Sequence, residues 1–548
     1  MIKSALQVAR ASYQPKMPKA LYGSVKVVTG EATESVADQT EVKKLFPNTY
    51  GMPTLKFAES SDKIVYTPIN VGVILSGGQA PGGHNVIAGI YDGIKTMNKD
   101  SRLYGFLMGP GGLINHKYKE LTGDIIDEYR NTGGFDIIGS GRDKLETKEQ
   151  FDKGLEILKK LDIKALVIIG GDDSNTNACV LAEYYAAINA GVQVIGCPKT
   201  IDGDLKNEMI ETSFGFDTAC KVYSEVIGNI QRDCNSSQKY WHFIKVMGRS
   251  ASHIALECAL QTQANICLIS EEVEAKKQSV DDIVTYIANA VAKRAADGNN
   301  FGTVIVPEGL IEFIPAMKSL IQELNDFLAT KQVEFDKVSA DKQVAYAAEH
   351  ISADNGKLLL SLPANIALQL THDRDSHGNV QVSLIETEKL LADMVAAKLK
   401  EMKAAGKYNG KFTALTHFFG YEGRCAAPSN FDADYCYSLG YTASALIAAG
   451  KTGYMSSVRN ITAPASEWIA GGVPTTMMMN MERRHGEMKP VIQKALVKLD
   501  DAPFKFLEAN REKWAVETMY VYPGPIQYFG PTEVCDQPTK TLQLEKSK

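Results

Sequence analysis

Several protein classes are excluded by what this sequence lacks. Its nine cysteines (Cys179, Cys197, Cys220, Cys234, Cys258, Cys267, Cys425, Cys436 and Cys535) are scattered without a C-x-x-C pair. That pattern offers neither a zinc ribbon nor a disulfide framework, and fits a reducing cytosol. No apolar run approaches the roughly 18 residues of a membrane span, so no membrane partner is expected. The formal charge of −6, with 23% charged residues, leaves no basic footprint for nucleic acid, and an anionic substrate must be held by local positive charge. The histidines form neither H-x-x-H nor H-E-x-x-H. Two nucleotide fingerprints also fail. Gly450-Lys451-Thr452 has the ending of a phosphate-binding loop, but the place of its first glycine is taken by Ala445, and Gly139-Ser140-Gly141 lacks the third glycine of a dinucleotide loop.

What is present is a long chain of 548 residues, 44% hydrophobic, enough for about three to four units at roughly 100–200 residues each. From Ile69 onward, apolar strand, glycine-rich turn and helix recur: Val71–Leu75 before Ser76-Gly77-Gly78, Leu103–Leu107 before Gly109-Pro110-Gly111-Gly112, and Ile137-Ile138 before Gly139-Ser140-Gly141-Arg142. A second series runs through Trp241–Val246, Ile266–Ile269, Thr303–Val306 and Ala414-Leu415. Such alternation predicts an α/β fold of two Rossmann-like lobes with mostly parallel sheets and an active site in the cleft between them. The expected boundaries are an N-terminal extension over 1–68, a donor lobe over 69–235, an acceptor lobe over 236–460 with a helical insertion at about 314–410, and a C-terminal segment over 461–548 packing back on the lobes. The first thirty residues carry Lys3, Arg10, Lys16, Lys19 and Lys26 with no acid before Glu31. That bias suits either an organellar transit peptide or an N-terminal helix docked on the body.

The densest chemistry lies at the ends of two successive apolar strands, in Gly170-Gly171-Asp172-Asp173-Ser174 and Pro198-Lys199-Thr200-Ile201-Asp202-Gly203-Asp204. Open α/β sheets bind ligands at carboxyl ends of strands. Helix capping accounts for any one of these acids, but four together repel one another and call for a metal or a cation. Few hard oxygen ligands suit magnesium bridged to substrate phosphates, with Lys199 and Arg142 as cations for the transferred charge. Ser76–Asn85 holds four glycines directly after a strand, which fits either a phosphate cradle or a tight structural turn. Met247-Gly248-Arg249, Pro307-Glu308-Gly309 and Tyr421-Glu422-Gly423-Arg424 each follow a strand, and together they suit a sugar phosphate, with arginine for the phosphate and glutamate for hydroxyls.

Taken together, in order and over roughly residues 69–460, these motifs resemble the phosphofructokinase family and, within it, the long pyrophosphate-dependent branch. The resemblance implies phosphoryl transfer from pyrophosphate to fructose 6-phosphate, reversibly, in glycolysis or gluconeogenesis, with Mg2+ as cofactor and a cytoplasmic homo-oligomer. By that resemblance Asp202 is the general base, Lys199 and Thr200 act beside it, and Asp172 and Asp204 hold magnesium. Gly78, Arg142, Asp173 and Lys199 fall at the donor. Thr200, Asp202, Met247, Gly248, Arg249, Glu308, Tyr421 and Arg424 fall at fructose 6-phosphate. Lys239 and Tyr240 align where ATP-using relatives reach into a neighbouring subunit. Those relatives carry glycine at the positions of Asp173 and Lys199, so these two residues oppose ATP. The rivals are an ATP-dependent enzyme and a non-catalytic regulatory subunit, the latter lacking acids that this chain retains.

Overall fold

The computed structural model describes residues 3–62, 64–374, 379–484 and 487–547. In chain order its strands are β1 (Val25–Ala32), β2 (Pro53–Glu59), β3 (Asn70–Leu75), β4 (Arg102–Phe106), β5 (Tyr118–Glu120), β6 (Ile163–Gly170), β7 (Gln193–Thr200), β8 (Phe214–Gly215), β9 (Trp241–Val246), β10 (Ile266–Cys267), β11 (Gly302–Pro307), β12 (Ala414–Phe419), β13 (Tyr454–Arg459), β14 (Ile469–Pro474), β15 (Met479–Arg484) and β16 (Glu487–Ile492). They divide between two compact units. Of the described residues, unit 1 comprises those within 3–222, 421–495 and 526–546, and unit 2 those within 223–420 and 496–525 together with Ser547.

Unit 1 is built on one sheet in the order β1-β2-β14-β13-β7-β6-β3-β4-β5, with β8 paired beside β7. Its centre, β13-β7-β6-β3-β4, is parallel. Both faces of that centre are covered, so β6 reads Ile-Lys-Ala-Leu-Val-Ile-Ile-Gly with every residue except Lys164 buried. Continuous apolar, β-branched runs are the expected signature of such strands, and the reading from Ile69 onward follows from it. Helices between the strands start where capping chemistry allows. Thr147, for example, accepts the Gln150 N–H while the Gln150 side chain accepts the Thr147 N–H, which starts the helix Lys148–Lys160.

The boundaries differ from those expected. The N-terminal segment is part of the unit 1 sheet, because β2 pairs antiparallel with β14 and β1 antiparallel with β2. Its helix Ala5–Ala11 is docked: Arg10 is buried, donates to Asn430 Oδ1 (2.6 Å) and the Pro428 carbonyl (3.0 Å), and lies over the rings of Tyr13 and Tyr528. The units also part at 222/223 and 420/421 instead of near 235 and 460. Everything after Gly420 up to Ala495, including β13 to β16, belongs to unit 1.

Unit 2 has an all-parallel sheet, β10-β11-β9-β12. Between β11 and β12 come the helices Pro315–Phe335, Gln343–Glu349, Ala353–Ser361, Ala364–His372 and Thr387–Ala404. The insertion is more than accessory. Leu320, Leu324, Leu370, Leu391 and Val395 share one buried cluster with Trp241, Phe243 and Val304 of the sheet, so the insertion completes the core.

Candidate phosphoryl-transfer site

In unit 1, parallel pairing of β6 with β7 through Gly170 and Pro198 brings the two acidic segments side by side. Asp172 opens the helix Asp172–Ala187 directly after β6, with Asp173 exposed in its first turn, where the helix N-terminus favours negative charge. Asp204 follows β7 and is buried. The Oδ2 atoms of Asp172 and Asp204 each stand 3.6 Å from one ammonium, Lys494 Nζ. Burial, with Asp202 and Asp172 nearby, pushes the Asp204 carboxyl up to about 7 against the opposing pull of Lys494.

Asp202 lies between them in sequence. Its N–H donates to Thr200 Oγ1 (3.1 Å), and its buried Oδ1 has no hydrogen-bond partner, so one carboxylate oxygen is left to accept a proton. The end of β7 is held from the other side by β8, which pairs Phe214 and Gly215 with Lys199 and Thr200, and by the Ser213 hydroxyl donating to the Thr200 carbonyl (3.0 Å).

Lys199 is 5% exposed. Burial pulls its ammonium down to about 8, the Arg424 guanidinium adds to that, and Asp202, Asp172 and Asp204 oppose it. Gly77, at φ 82°, lets the loop after β3 pass so close that a Cβ there would stand 3.5 Å from Lys199 Nζ. That loop is tied to the next glycine turn, since Gly77 N–H donates to the Gly141 carbonyl (2.9 Å) and Ser140 Oγ to the Gly77 carbonyl (2.5 Å). Arg142, the next residue along that turn, is exposed.

Arg424 changes sides. The sequence places it and Tyr421 on the acceptor lobe because they follow β12, but the short helix Tyr421–Arg424 belongs to unit 1. Arg424 Nη1 donates to the Gln79 carbonyl (3.3 Å) and stands 3.0 Å from where a Gly78 Cβ would be. Tyr421 is 72% exposed.

The remaining acceptor residues are in unit 2. Met247 is buried at the end of β9, Gly248 N–H donates to Glu308 Oε2 (3.0 Å), and Arg249 is exposed. Gly309 permits a very close approach, for a Cβ there would meet the Arg249 carbonyl oxygen at 1.8 Å. Lys239 and Tyr240 are exposed just before β9. Two contributors carried no clear sequence signal. Buried Glu271 accepts the N–H groups of Ser252 (3.1 Å) and Val497 (3.0 Å), which fixes the chain after Arg249. Lys494 follows β16 in a stretch of mixed Met, Pro and polar residues without periodicity, and only the apolar pair Val491-Ile492 before it hinted at a strand end.

Among the described residues no group of three or more His, Cys, Asp or Glu side chains is arranged to hold a metal ion. Asp172 and Asp204 nevertheless fit magnesium. They converge on one cation position, and magnesium characteristically takes one or two carboxylates together with substrate phosphates and water.

Strand-end carboxylates converging on a cation, beside a buried lysine and a glycine loop, define a phosphoryl-transfer site. Comparison with known proteins agrees: the phosphofructokinase family model matches residues 70–447, and the chain belongs to that family. A Porphyromonas gingivalis protein named pyrophosphate–fructose 6-phosphate 1-phosphotransferase is 67% identical over 547 residues, covering 100% of both chains. A Treponema pallidum protein of the same name is 54% identical over 556 residues, covering 99% of this chain and 97% of its own. The solved structure of a pyrophosphate-dependent phosphofructokinase from Marinobacter aquaeolei, 16% identical, aligns with a TM-score of 0.52 over 82% of this chain and 93% of that one, which shows a shared fold.

Proposed function

We propose that this chain transfers a phosphoryl group from pyrophosphate to the 1-hydroxyl of D-fructose 6-phosphate, giving fructose 1,6-bisphosphate and phosphate. The observation that carries the reading is the buried, unpartnered Oδ1 of Asp202 beside Lys199 and the Asp172–Asp204 pair, a base next to a place for a charged donor. The names of relatives matched over nearly the full length support the same substrates.

Asp202 accepts the proton of the 1-hydroxyl as the hydroxyl attacks, and Thr200 and β8 keep that carboxylate in place. Lys199, Arg142 and the backbone of the Gly77-Gly78 loop bind the donor and offset charge on its transferred phosphoryl group. Asp172 and Asp204 would hold magnesium, which would supply further neutralisation of the donor phosphates. In unit 2, Arg249 binds the 6-phosphate and Glu308 the sugar hydroxyls. Asp173, exposed at its helix start, and Lys199 favour pyrophosphate over ATP. An anhydride is exchanged for an ester with modest free-energy change, so the step runs in either direction in sugar-phosphate breakdown or synthesis.

The cysteine usage supports a cytoplasmic enzyme, and family membership supports a homo-oligomer with Lys239 and Tyr240 at a subunit contact. No helix among the described residues is long and apolar enough to cross a membrane. The test is fructose 1,6-bisphosphate formation by the purified chain with Mg2+ and either pyrophosphate or ATP. Turnover with pyrophosphate and none with ATP is expected, and turnover with neither donor refutes the reading.

A further inference from the structure

Lys494 is anchored on both sides to the segments that carry the acids. Ile492 N–H donates to Thr176 Oγ1 (3.2 Å) on the helix begun by Asp172, and Ala495 N–H donates to the carbonyl of Asp204 (2.7 Å). The backbone of the hairpin arm is thereby fixed, and the lysine side chain is 30% exposed. Its ammonium stands 3.6 Å from each carboxylate, longer than the roughly 2.7–2.9 Å of a charge-assisted hydrogen bond. It balances two charges without closing a tight bond on either carboxylate. A divalent cation bridging Asp172 and Asp204 would occupy the same space and repel the ammonium at contact distance. The ammonium must then leave, and the negative charge that arrives with the metal is the donor itself.

We propose that Lys494 stands on the metal position between Asp172 and Asp204 when the donor is absent, and moves onto a phosphate oxygen of pyrophosphate when metal and donor bind. Lys494 is on this basis a donor-binding residue that also competes with free metal. The inference rests on the pyrophosphate reading above and makes a prediction that a purely structural lysine does not: its removal shifts metal binding and donor binding in opposite directions.

The test uses the full chain with Lys494→Met, which keeps the apolar stem and removes the charge. Mn2+ is titrated in the absence of pyrophosphate, with free ion read by electron paramagnetic resonance. The variant is expected to bind Mn2+ about threefold or more tighter than wild type, because a competing charge is gone. In steady-state assays its KM for pyrophosphate rises about tenfold or more, the cost of one contact to a charged group, while KM for fructose 6-phosphate stays within about twofold. Lys494→Arg retains the charge and is expected to keep metal affinity near wild type. Should the methionine variant fail to fold, Lys494→Gln is read by the same criteria. Unchanged or weaker Mn2+ binding by the neutral variants, or an unchanged KM for pyrophosphate, overturns the proposal. Wild-type turnover with pyrophosphate, measured alongside, separates that result from failure of the underlying reading.

Discussion

Asp202→Asn is the most direct perturbation of the chemistry. The substitution is nearly isosteric, and the structure indicates what it removes. The backbone N–H of residue 202 still donates to Thr200 Oγ1, and since Oδ1 has no hydrogen-bond partner, no bond to that atom is lost. Stability should therefore change by no more than the roughly 0.5 kcal/mol typical of sites without a named destabilising feature. Charge relations should if anything ease, because Asp202 is among the groups that push the Asp204 carboxyl up. What disappears is the proton acceptor, and general-base assistance is worth about 10²–10⁴ in rate, or roughly 3–5 kcal/mol of transition-state stabilisation. The assay is steady-state formation of fructose 1,6-bisphosphate from pyrophosphate, with an unfolding scan of both proteins. The expected result is kcat lower by at least about 10²-fold, KM for fructose 6-phosphate near wild type and an unchanged unfolding midpoint. Turnover close to wild type refutes the base assignment. A loss of activity that tracks a fall in stability also refutes it, by showing that Asp202 acts on the fold.

Three further outcomes are expected. Asp173→Gly combined with Lys199→Gly should raise kcat/KM for MgATP relative to pyrophosphate by at least about 10²-fold; a folded double variant that keeps some pyrophosphate activity and still rejects ATP shows that these residues are not the gate. Gly309→Ala forces a Cβ against the Arg249 carbonyl oxygen at 1.8 Å, so the Arg249 loop must shift; KM for fructose 6-phosphate should rise about tenfold while KM for pyrophosphate does not, and equal changes in both argue against a sugar-phosphate role for that loop. Asp434 is buried, its Oδ1 accepts the Tyr13 hydroxyl and the Lys16 N–H, and burial raises its carboxyl from 3.8 to about 7. The folded chain therefore holds a proton that the unfolded chain releases near 4, and this site loses stability as pH rises from about 4 to about 7, by on the order of 4 kcal/mol at ~1.4 kcal/mol per unit. Asp434→Asn keeps the accepting oxygen and removes the titration, so its advantage in unfolding midpoint over wild type should grow across that window; a difference independent of pH refutes the assignment.

The parts legible in the sequence were those whose signal is local. Parallel strands buried on both faces must be continuous apolar runs, so β3, β6, β7, β9 and β11 were readable. The acids that follow β6 and β7 were readable as one cluster because adjacent parallel strands deliver their carboxyl ends to one place. Antiparallel β1 was not readable, as it is largely exposed and ends in Thr-Gly-Glu-Ala without alternation. Arg424 was assigned to the wrong unit for a related reason: β12 lies in unit 2, but the chain crosses to unit 1 within one residue of its end, and no propensity marks such a crossing.

The same distinction separates the site's negative charges from its positive ones. Asp172, Asp173, Asp202 and Asp204 come from the segments that follow two neighbouring strands, so the pairing of β6 with β7 alone brings them together at the cost of mutual repulsion. Lys199 lies on one of those same strands, β7. Arg424, whose charge acts on Lys199, arrives from the helix after β12, and Lys494 from the arm after β16. Compensation of the acidic cluster is thus a tertiary event, complete only when the segment from 421 to 495 has folded onto the sheet begun by β3. Removing Lys494 or Arg424 should consequently leave the central strands in place and alter chiefly how strongly the acidic cluster attracts a metal and a polyanionic donor, because burial of those strands depends on their own apolar residues and not on the charges at their ends.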